Sequence, residues 1–369
     1  MNKLIGQHML IGISGHALTA DEKKFIIENN ISGIALFGRN VAEPKQVHAL
    51  CSEIQSLRHQ MEDKAPLFIG IDMEGGRVAR LKAPFTTWPP LKSLGDLDNA
   101  TASFQLSNKM GLELNAVGIN LDFAPCVDIF TNPKNTVIGD RSIGTDPELV
   151  AKHASALVRG YIKSGIISCA KHFPGHGNTI IDSHEDLPVE EADLKSLEAR
   201  EIIPFRRSFK ARVEMVMTSH ILFKNVDPEW PATLSEIFLK NILRDQYRYR
   251  GLIITDDLDM KAMAKHYDRE KIPARALKAG ADLLLYCNEP ESPPRAIEGV
   301  LNALSKGELK KSDLEITRKR ILDLKKERIA HPDPMPFEQA MELVGCEEHK
   351  AMSQAIARGV LPAGIVAEA

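Results

Sequence analysis

Gly165-Ile166-Ile167-Ser168-Cys169-Ala170 runs without a break into Lys171-His172-Phe173-Pro174-Gly175-His176-Gly177, and Asp182-Ser183-His184 follows a few residues later. The first six residues are short, apolar and partly β-branched, the pattern of a buried strand. From Lys171 to His184 the chain crowds a cation, three imidazoles and a carboxylate into fourteen positions. Gly175 and Gly177 let the backbone turn sharply there. An apolar strand that delivers a polar cluster at its C-terminal end has the composition of a reaction site.

The same arrangement recurs. Residues 67–71 run into Asp72, Met73 and Glu74, residues 213–217 into Thr218, Ser219 and His220, and residues 252–254 into Thr255, Asp256 and Asp257. Amphipathic stretches of helical length, 146–164, 235–246 and 269–279, lie between such strands. Strand and helix in alternation imply right-handed βαβ units and a parallel sheet. Eight strands are expected, beginning near His8, Gly33, Leu67, Ile119, Gly165, Val213, Leu252 and Ala281. Eight units predict a closed (β/α)8 barrel of the TIM type, which places its chemistry at the C-terminal ends of the strands. An open doubly wound sheet would gather ligand groups at one switch point, whereas here they recur on many strands.

The 369 residues are 43% hydrophobic, enough for a large core in one main domain. The formal charge is −3 with both signs interspersed, so the basic stripe of a nucleic-acid-binding protein is missing and a neutral or small polar substrate fits better. Five cysteines, Cys51, Cys126, Cys169, Cys287 and Cys346, are odd in number and widely spaced, which points to reduced thiols in a cytoplasmic protein. Lys3 precedes apolar residues, but Gln7 and His8 interrupt them, so the segment is expected to serve the first strand and not as an export signal. No run reaches the ~18 apolar residues of a membrane span. Three prolines in His331-Pro332-Asp333-Pro334-Met335-Pro336 are expected to end a barrel of residues 1–330. Residues 331–369 then form a helical extension and not an independent domain, with helices suggested around Phe337, Met341 and Val344 and around Met352, Ile356 and Val360.

Asp256 follows Gly251-Leu252-Ile253-Ile254-Thr255 directly, a position from which a carboxylate can act as a nucleophile at the barrel mouth. One of Asp256 and Asp257 could instead cap the next helix, and strand alternation would turn one inward and the other outward. In an extended loop Asp182 and His184 would point the same way, so that Asp182 holds the imidazole, sets its tautomer and makes an acid–base dyad. Asp182 or Ser183 as a turn or cap residue is the plainer reading of an isolated Asp-Ser-His string, and the surrounding polar cluster turns the balance to the dyad. Lys171 and His172 can hydrogen-bond sugar hydroxyls, with Lys171 also keeping a neighbouring carboxylate ionised. A Schiff-base lysine and a metal on His172 and His176 are alternatives. The broken Pro/Gly backbone argues against the aligned rings a metal needs, and no metal or cofactor is expected. In Asp72-Met73-Glu74-Gly75-Gly76-Arg77-Val78-Ala79-Arg80, Asp72 can accept from vicinal hydroxyls and Arg80 can donate in a fork. Arg77 and Arg141 could equally be structural ion-pair partners.

Taken together, Ile71 through Val78, Gly139-Asp140-Arg141-Ser142, the KHFPGHG string with Asp182-Ser183-His184, Met217-Thr218-Ser219-His220, Pro231-Ala232-Thr233-Leu234-Ser235, and Ile242-Leu243-Arg244 leading to Gly251 through Asp257 resemble glycoside hydrolase family 3, and within it the NagZ-type β-N-acetylglucosaminidases. The resemblance implies Asp256 as nucleophile, His184 as acid/base and Asp182 as its partner, with Asp72, Arg80, Arg141, Lys171 and His172 lining a sugar pocket. It also implies hydrolysis with retention, and a cytoplasmic, monomeric enzyme of bacterial cell-wall recycling that removes N-acetylglucosamine from anhydro-muropeptides. Ile143 stands where members often have Phe, and Asn178 stands in a variable part of the loop. The stretch from Leu343 to Lys350 resembles the start of the segment that leads to a second domain in larger relatives, a domain not expected here. A broader β-glucosidase of the family, a phosphorylase using the same His and Asp, and a non-catalytic muropeptide sensor are the competing functions.

Overall fold

In a computed structural model that describes residues 1–367, eight parallel strands close into a barrel. They are β1 (Met9–Gly12), β2 (Gly33–Leu36), β3 (Phe68–Ile71), β4 (Leu121–Asp122), β5 (Ile167–Phe173), β6 (Met215–Thr218), β7 (Leu252–Asp257) and β8 (Leu283–Tyr286). Each neighbours the next in sequence, and β8 closes on β1, with Met9 opposite Leu284 and Ile11 opposite Tyr286. The alternation of side chains along each strand builds two cores. Leu10, Phe68, Leu121, Ile167, Met215, Leu252 and Leu283 fill the barrel interior. Met9, Ile34, Ile69, Val216, Ile253 and Leu284 face outward into the layer shared with the helices.

Helix boundaries follow capping chemistry. Pro147–Ser164 begins behind Asp146, whose side chain accepts from Leu149 N–H, and ends at Gly165 with φ 85°, the left-handed residue that glycine supplies without steric cost. The predicted helix 235–246 is present as Ile237–Gln246 but is wound as a π-helix, with Phe238, Leu239, Ile242 and Leu243 buried. The N-terminal segment differs from expectation: Asn2–Gly6 is a short helix and β1 starts only at Met9. Gln7 and His8, the two polar residues between them, are buried, with Gln7 Nε2 donating to the Asn30 carbonyl at 2.6 Å and His8 Nδ1 donating to that of Asp282 at 2.9 Å.

After Lys311–Arg328, the proline-broken segment crosses the barrel flank, and the helices Phe337–Leu343 and Glu347–Ala357 lie against it. Side-chain contacts fasten the second of them: His349 Nδ1 to Glu113 Oε1 at 2.7 Å and Ser353 Oγ to the Thr87 carbonyl at 2.6 Å. Among the described residues no helix is long and apolar enough to cross a membrane.

Candidate active site

At the C-terminal mouth of the barrel a cavity of about 340 Å³ is lined by residues from most of the strands, among them Asp72, Arg80, Arg141, Lys171, His172, Asp182, His184 and Asp256. The structure therefore brings all eight residues singled out in the sequence to one pocket. Two register shifts aim several of them. The pairing of β5 with β6 slips between Ala170 and Phe173, and that of β7 with β8 between Ile254 and Asp257. Such irregularities break the two-residue alternation. Lys171 and His172, though adjacent, both line the cavity, and so do Asp256 and Asp257. The expectation that one of the two aspartates turns away is thus corrected, and neither caps the next helix, Lys261–Ala264, whose N-cap is Met260.

One wall is an ion network. Lys171 is buried between two carboxylates, 2.7 Å from Asp72 Oδ1 and 2.6 Å from Glu74 Oε1. Burial alone would favour the neutral amine, but the two carboxylates outweigh it and raise the pKa of Lys171. A permanently charged ammonium is not a Schiff-base nucleophile. Arg80 donates to the second oxygen of Asp72 at 3.1 Å. Arg141 grips Glu74 through two bonds, Nε to Oε2 at 2.9 Å and Nη2 to Oε1 at 2.8 Å. Asp72 and Glu74 are held below the usual carboxylate range: burial opposes ionisation, and Lys171 with Arg80 for the one, Arg141 with Lys171 for the other, overcome it. Arg77, by contrast, makes an exposed ion pair with Asp140 at 3.0 Å and donates to backbone carbonyls of the 136–138 turn.

Asp128, which sequence reasoning passed over, organises the next wall. This buried carboxylate accepts the His172 N–H at 3.1 and 3.2 Å, the His172 ring Nδ1–H at 2.6 Å, the His176 N–H at 2.7 Å and the Cys126 thiol at 3.3 Å. Burial would raise its pKa, but the charge and hydrogen bonds of His172 hold it down to about 2. On the other side of the ring, His172 Nε2 lies 3.4 Å from Arg141 Nη2. Cys126, Asp128 and His172 place a thiol, a carboxylate and an imidazole within 4.8 Å of one another. Burial and the neighbouring Asp128 push the thiol pKa well up. The three groups are already joined as a hydrogen-bond network, with Asp128 Oδ2 accepting from both the Cys126 thiol and His172 Nδ1. The His172 and His176 rings meet edge-on with centroids 5.7 Å apart.

The dyad forms, although not in an extended loop. His184 Nδ1 and its own backbone N–H both reach Asp182 Oδ1 at 2.8 Å, and the N–H groups of Glu185 and Asp186 return to the Asp182 carbonyl. Asp182 thus makes the turn and holds the ring with the same carboxylate. Its pKa is lowered because the His184 hydrogen bonds outweigh partial burial. His184 is 62% exposed at the rim of the pocket. His176 anchors this loop from below: it is buried, Nδ1 meets Thr179 Oγ1 at 2.8 Å, and Nε2 meets Ser183 Oγ at 3.0 Å. Burial, with His172 nearby, lowers the pKa of His176 to about 4, so its ring is neutral at ordinary pH. From the other side, Lys261 pairs with Glu185 at 2.7 Å and His266 with Asp186 at 2.5 Å.

Asp256, near the end of β7, is half-buried and lines the pocket. Burial opposes its charge, but His220, His172 and His184 keep its pKa below the ordinary value. Its neighbour Asp257 accepts from Asn288 Nδ2 at 2.7 Å and Cys287 N–H at 3.2 Å, and burial together with Asp259 pushes it up to about 7. Two carboxylates side by side with pKa values driven apart, and a His–Asp pair at the rim, is an arrangement able to combine nucleophilic attack with proton transfer.

Residues 2–324 match the family model described as the glycosyl hydrolase family 3 N terminal domain. A β-hexosaminidase from Thiobacillus denitrificans is 36% identical over 289 residues, 77% of this chain and 79% of that one. Among solved structures, a family 3 β-N-acetylglucosaminidase from Paenibacillus superposes with a TM-score of 0.90 at 35% identity, covering 97% of this chain and 68% of that chain. NagZ from Neisseria gonorrhoeae in complex with N-trifluoroacetyl-D-glucosamine gives 0.76 at 32% identity, covering 95% and 97%.

Proposed function

The chain belongs to glycosyl hydrolase family 3 as a β-hexosaminidase-type enzyme, and from that premise we propose that it is a retaining exo-β-N-acetylglucosaminidase acting on the terminal sugar of anhydro-muropeptides in cell-wall recycling. The observation that carries the reading is the convergence, in one cavity of about 340 Å³, of an ionised Asp256, the Asp182–His184 dyad and a wall of fixed hydrogen-bonding charges. A cavity of that size suits one sugar with its 2-acetamido group. The complex of the Neisseria relative with an N-acylated glucosamine supports the same sugar class.

In the proposed reaction Asp72, Arg80, Lys171, His172 and Arg141 orient the sugar. Asp72 keeps lone pairs for hydroxyls beyond its bonds to Lys171 and Arg80. Asp256 attacks the anomeric carbon as the glycosidic bond breaks, and His184 gives its proton to the leaving oxygen. Water then attacks the glycosyl-enzyme ester, His184 takes its proton, and Asp256 is released with retention at the anomeric carbon. Asp182 stabilises His184 in its charged form and holds the ring in place. A histidine instead of a second carboxylate avoids repulsion beside Asp256 and tolerates an incoming anion, which keeps phosphorolysis as the second reading.

Incubation with chromogenic β-N-acetylglucosaminide and β-glucoside, with and without phosphate, tests the assignment. Preferential hydrolysis of the N-acetylglucosaminide is expected. Preference for the glucoside, or formation of sugar 1-phosphate, overturns it.

A further inference from the structure

Although the chain is net acidic at −3, the fold gathers cations at the end of the barrel opposite the active site. There a cavity of about 750 Å³ opens between the ends of Ile202–Lys210 and Ile237–Gln246 and the flank of Lys311–Arg328. Seven cationic side chains line it against three carboxylates. Two of the three are already engaged, Glu214 with Arg328 at 2.8 Å and Asp323 with Lys319 at 2.6 Å. Arg206, Lys210, Arg212, Arg248 and Arg250 are exposed and make no ion pair among the described residues. A neighbouring hollow shares Lys210 and Arg212 and adds Arg159 and Arg207, extending the positive field along the surface.

Two backbone details set this cavity apart from an ordinary basic surface. Arg212 and Arg248 adopt φ of 69° and 53°, each just past the end of a helix that borders the cavity. At other helix ends the left-handed residue is Asn30, Asp98, Gly165 or Gly280, the types that accept this conformation readily. Arginine is placed there against that preference, at the two helix ends beside one cavity. The wall behind the guanidinium groups is aromatic. Phe209 lies 4.8 Å from the Tyr249 ring and 6.4 Å from that of Tyr247, and the Arg206 guanidinium sits 5.8 Å from the Tyr247 centroid.

We propose that this cavity binds a small phosphorylated ligand of the nucleoside-diphosphate kind, its charged groups held by Arg212, Arg248 and Arg250 and its flat part against Phe209 and Tyr247. Guanidinium forks match phosphate oxygens in pairs, and the cavity volume falls within the range of small-molecule sites. The concave shape and apolar wall favour a compact ligand over an extended polyanion. The site is separate from the sugar pocket and independent of the reading of its chemistry.

Calorimetric titration of the full chain at low ionic strength with ADP, with pyrophosphate and with adenosine tests the proposal. ADP is expected to bind with a Kd on the order of 10–100 µM, more weakly as salt rises. Arg212→Gly and Arg248→Gly should each weaken binding about tenfold or more, the loss of one charge-assisted contact. Neither should lower the thermal midpoint, because glycine takes the left-handed conformation freely. Arg250→Gln, away from both helix ends, should weaken binding similarly. Turnover of the β-N-acetylglucosaminide should stay unchanged in all three variants. Pyrophosphate binding as tightly as ADP supports the site with the phosphates as its ligand, and tighter ADP binding adds the base to the aromatic wall. The proposal is overturned if neither phosphate probe binds at millimolar concentration, if binding survives the double glycine variant, or if only RNA or phosphatidylglycerol vesicles bind.

Discussion

Replacing Asp128 with asparagine removes one charge from a buried carboxylate that receives three N–H donors and a thiol. The cost follows from two routes. The folded pKa of about 2 lies some ~2 units below the unfolded value of ~3.9, which is worth about 2–3 kcal/mol at neutral pH. Alternatively, the amide keeps one acceptor and turns an NH2 group toward donors, leaving a buried N–H unpaired at a cost of about 1–3 kcal/mol. The routes agree on a loss of roughly 2–3 kcal/mol. The sign of the pH dependence is fixed. A depressed carboxylate pKa contributes stability that is complete above the unfolded value and is lost as pH falls through the folded one. Between pH 6 and pH 3 the advantage of the native carboxylate should therefore shrink to about half. Urea midpoints of both proteins at the two pH values, followed by circular dichroism, measure this directly. A gap independent of pH, or one below about 0.5 kcal/mol, would refute the reasoning.

Three further perturbations probe other parts of the molecule. His184→Ala should slow hydrolysis of a poor-leaving-group N-acetylglucosaminide by about 10²–10⁴, and less for an activated aryl glycoside, since only the former needs a proton; equal effects on the two substrates in steady-state kinetics would contradict the acid role. Lys171→Met leaves Asp72 and Glu74 as buried charges with one cation fewer each and should cost about 3–5 kcal/mol of stability, measured by denaturant titration. Lys325 is buried against the Phe68 ring, and desolvation lowers its pKa to about 7. The unfolded chain then binds the extra proton between pH 7 and the ordinary lysine value, so stability rises with pH through that window. From pH 7 to pH 9 the lysine's contribution should improve by about 2 kcal/mol, a difference that Lys325→Met should abolish in urea titrations at the two pH values.

How much of this was legible in the sequence depended on contact distance. The eight strands appear within two residues of where apolar runs place them, because burial on both faces writes itself into local composition. The Asp182–His184 pair was legible because its spacing is two residues, although the backbone that joins them is a turn and not an extended segment. Asp128 was not found. Its partners lie 44 and 48 residues away, and the strand before it is only two residues long. The rule that polar residues gather just after a strand, applied to Cys126-Val127-Asp128, would have nominated it. Glu74 was visible in its motif, but its pairing with Arg141 spans 67 residues. Strand alternation failed at Lys171–His172 and at Asp256–Asp257 because a register shift depends on the neighbouring strand, which a single segment does not record. The cations at the opposite end come from several separate segments, so no basic stripe announces them.

The central claim is that Asp256 forms a covalent bond to the sugar during turnover. Peptide mass spectrometry of enzyme acid-quenched during hydrolysis of an activated β-N-acetylglucosaminide tests it most directly. The account predicts one N-acetylglucosaminyl group on the peptide that contains Asp256, accumulating further in His184→Ala, where water attack lacks its base. A sugar attached to a different residue, or the α-anomer as first product in a parallel NMR time course, would contradict it.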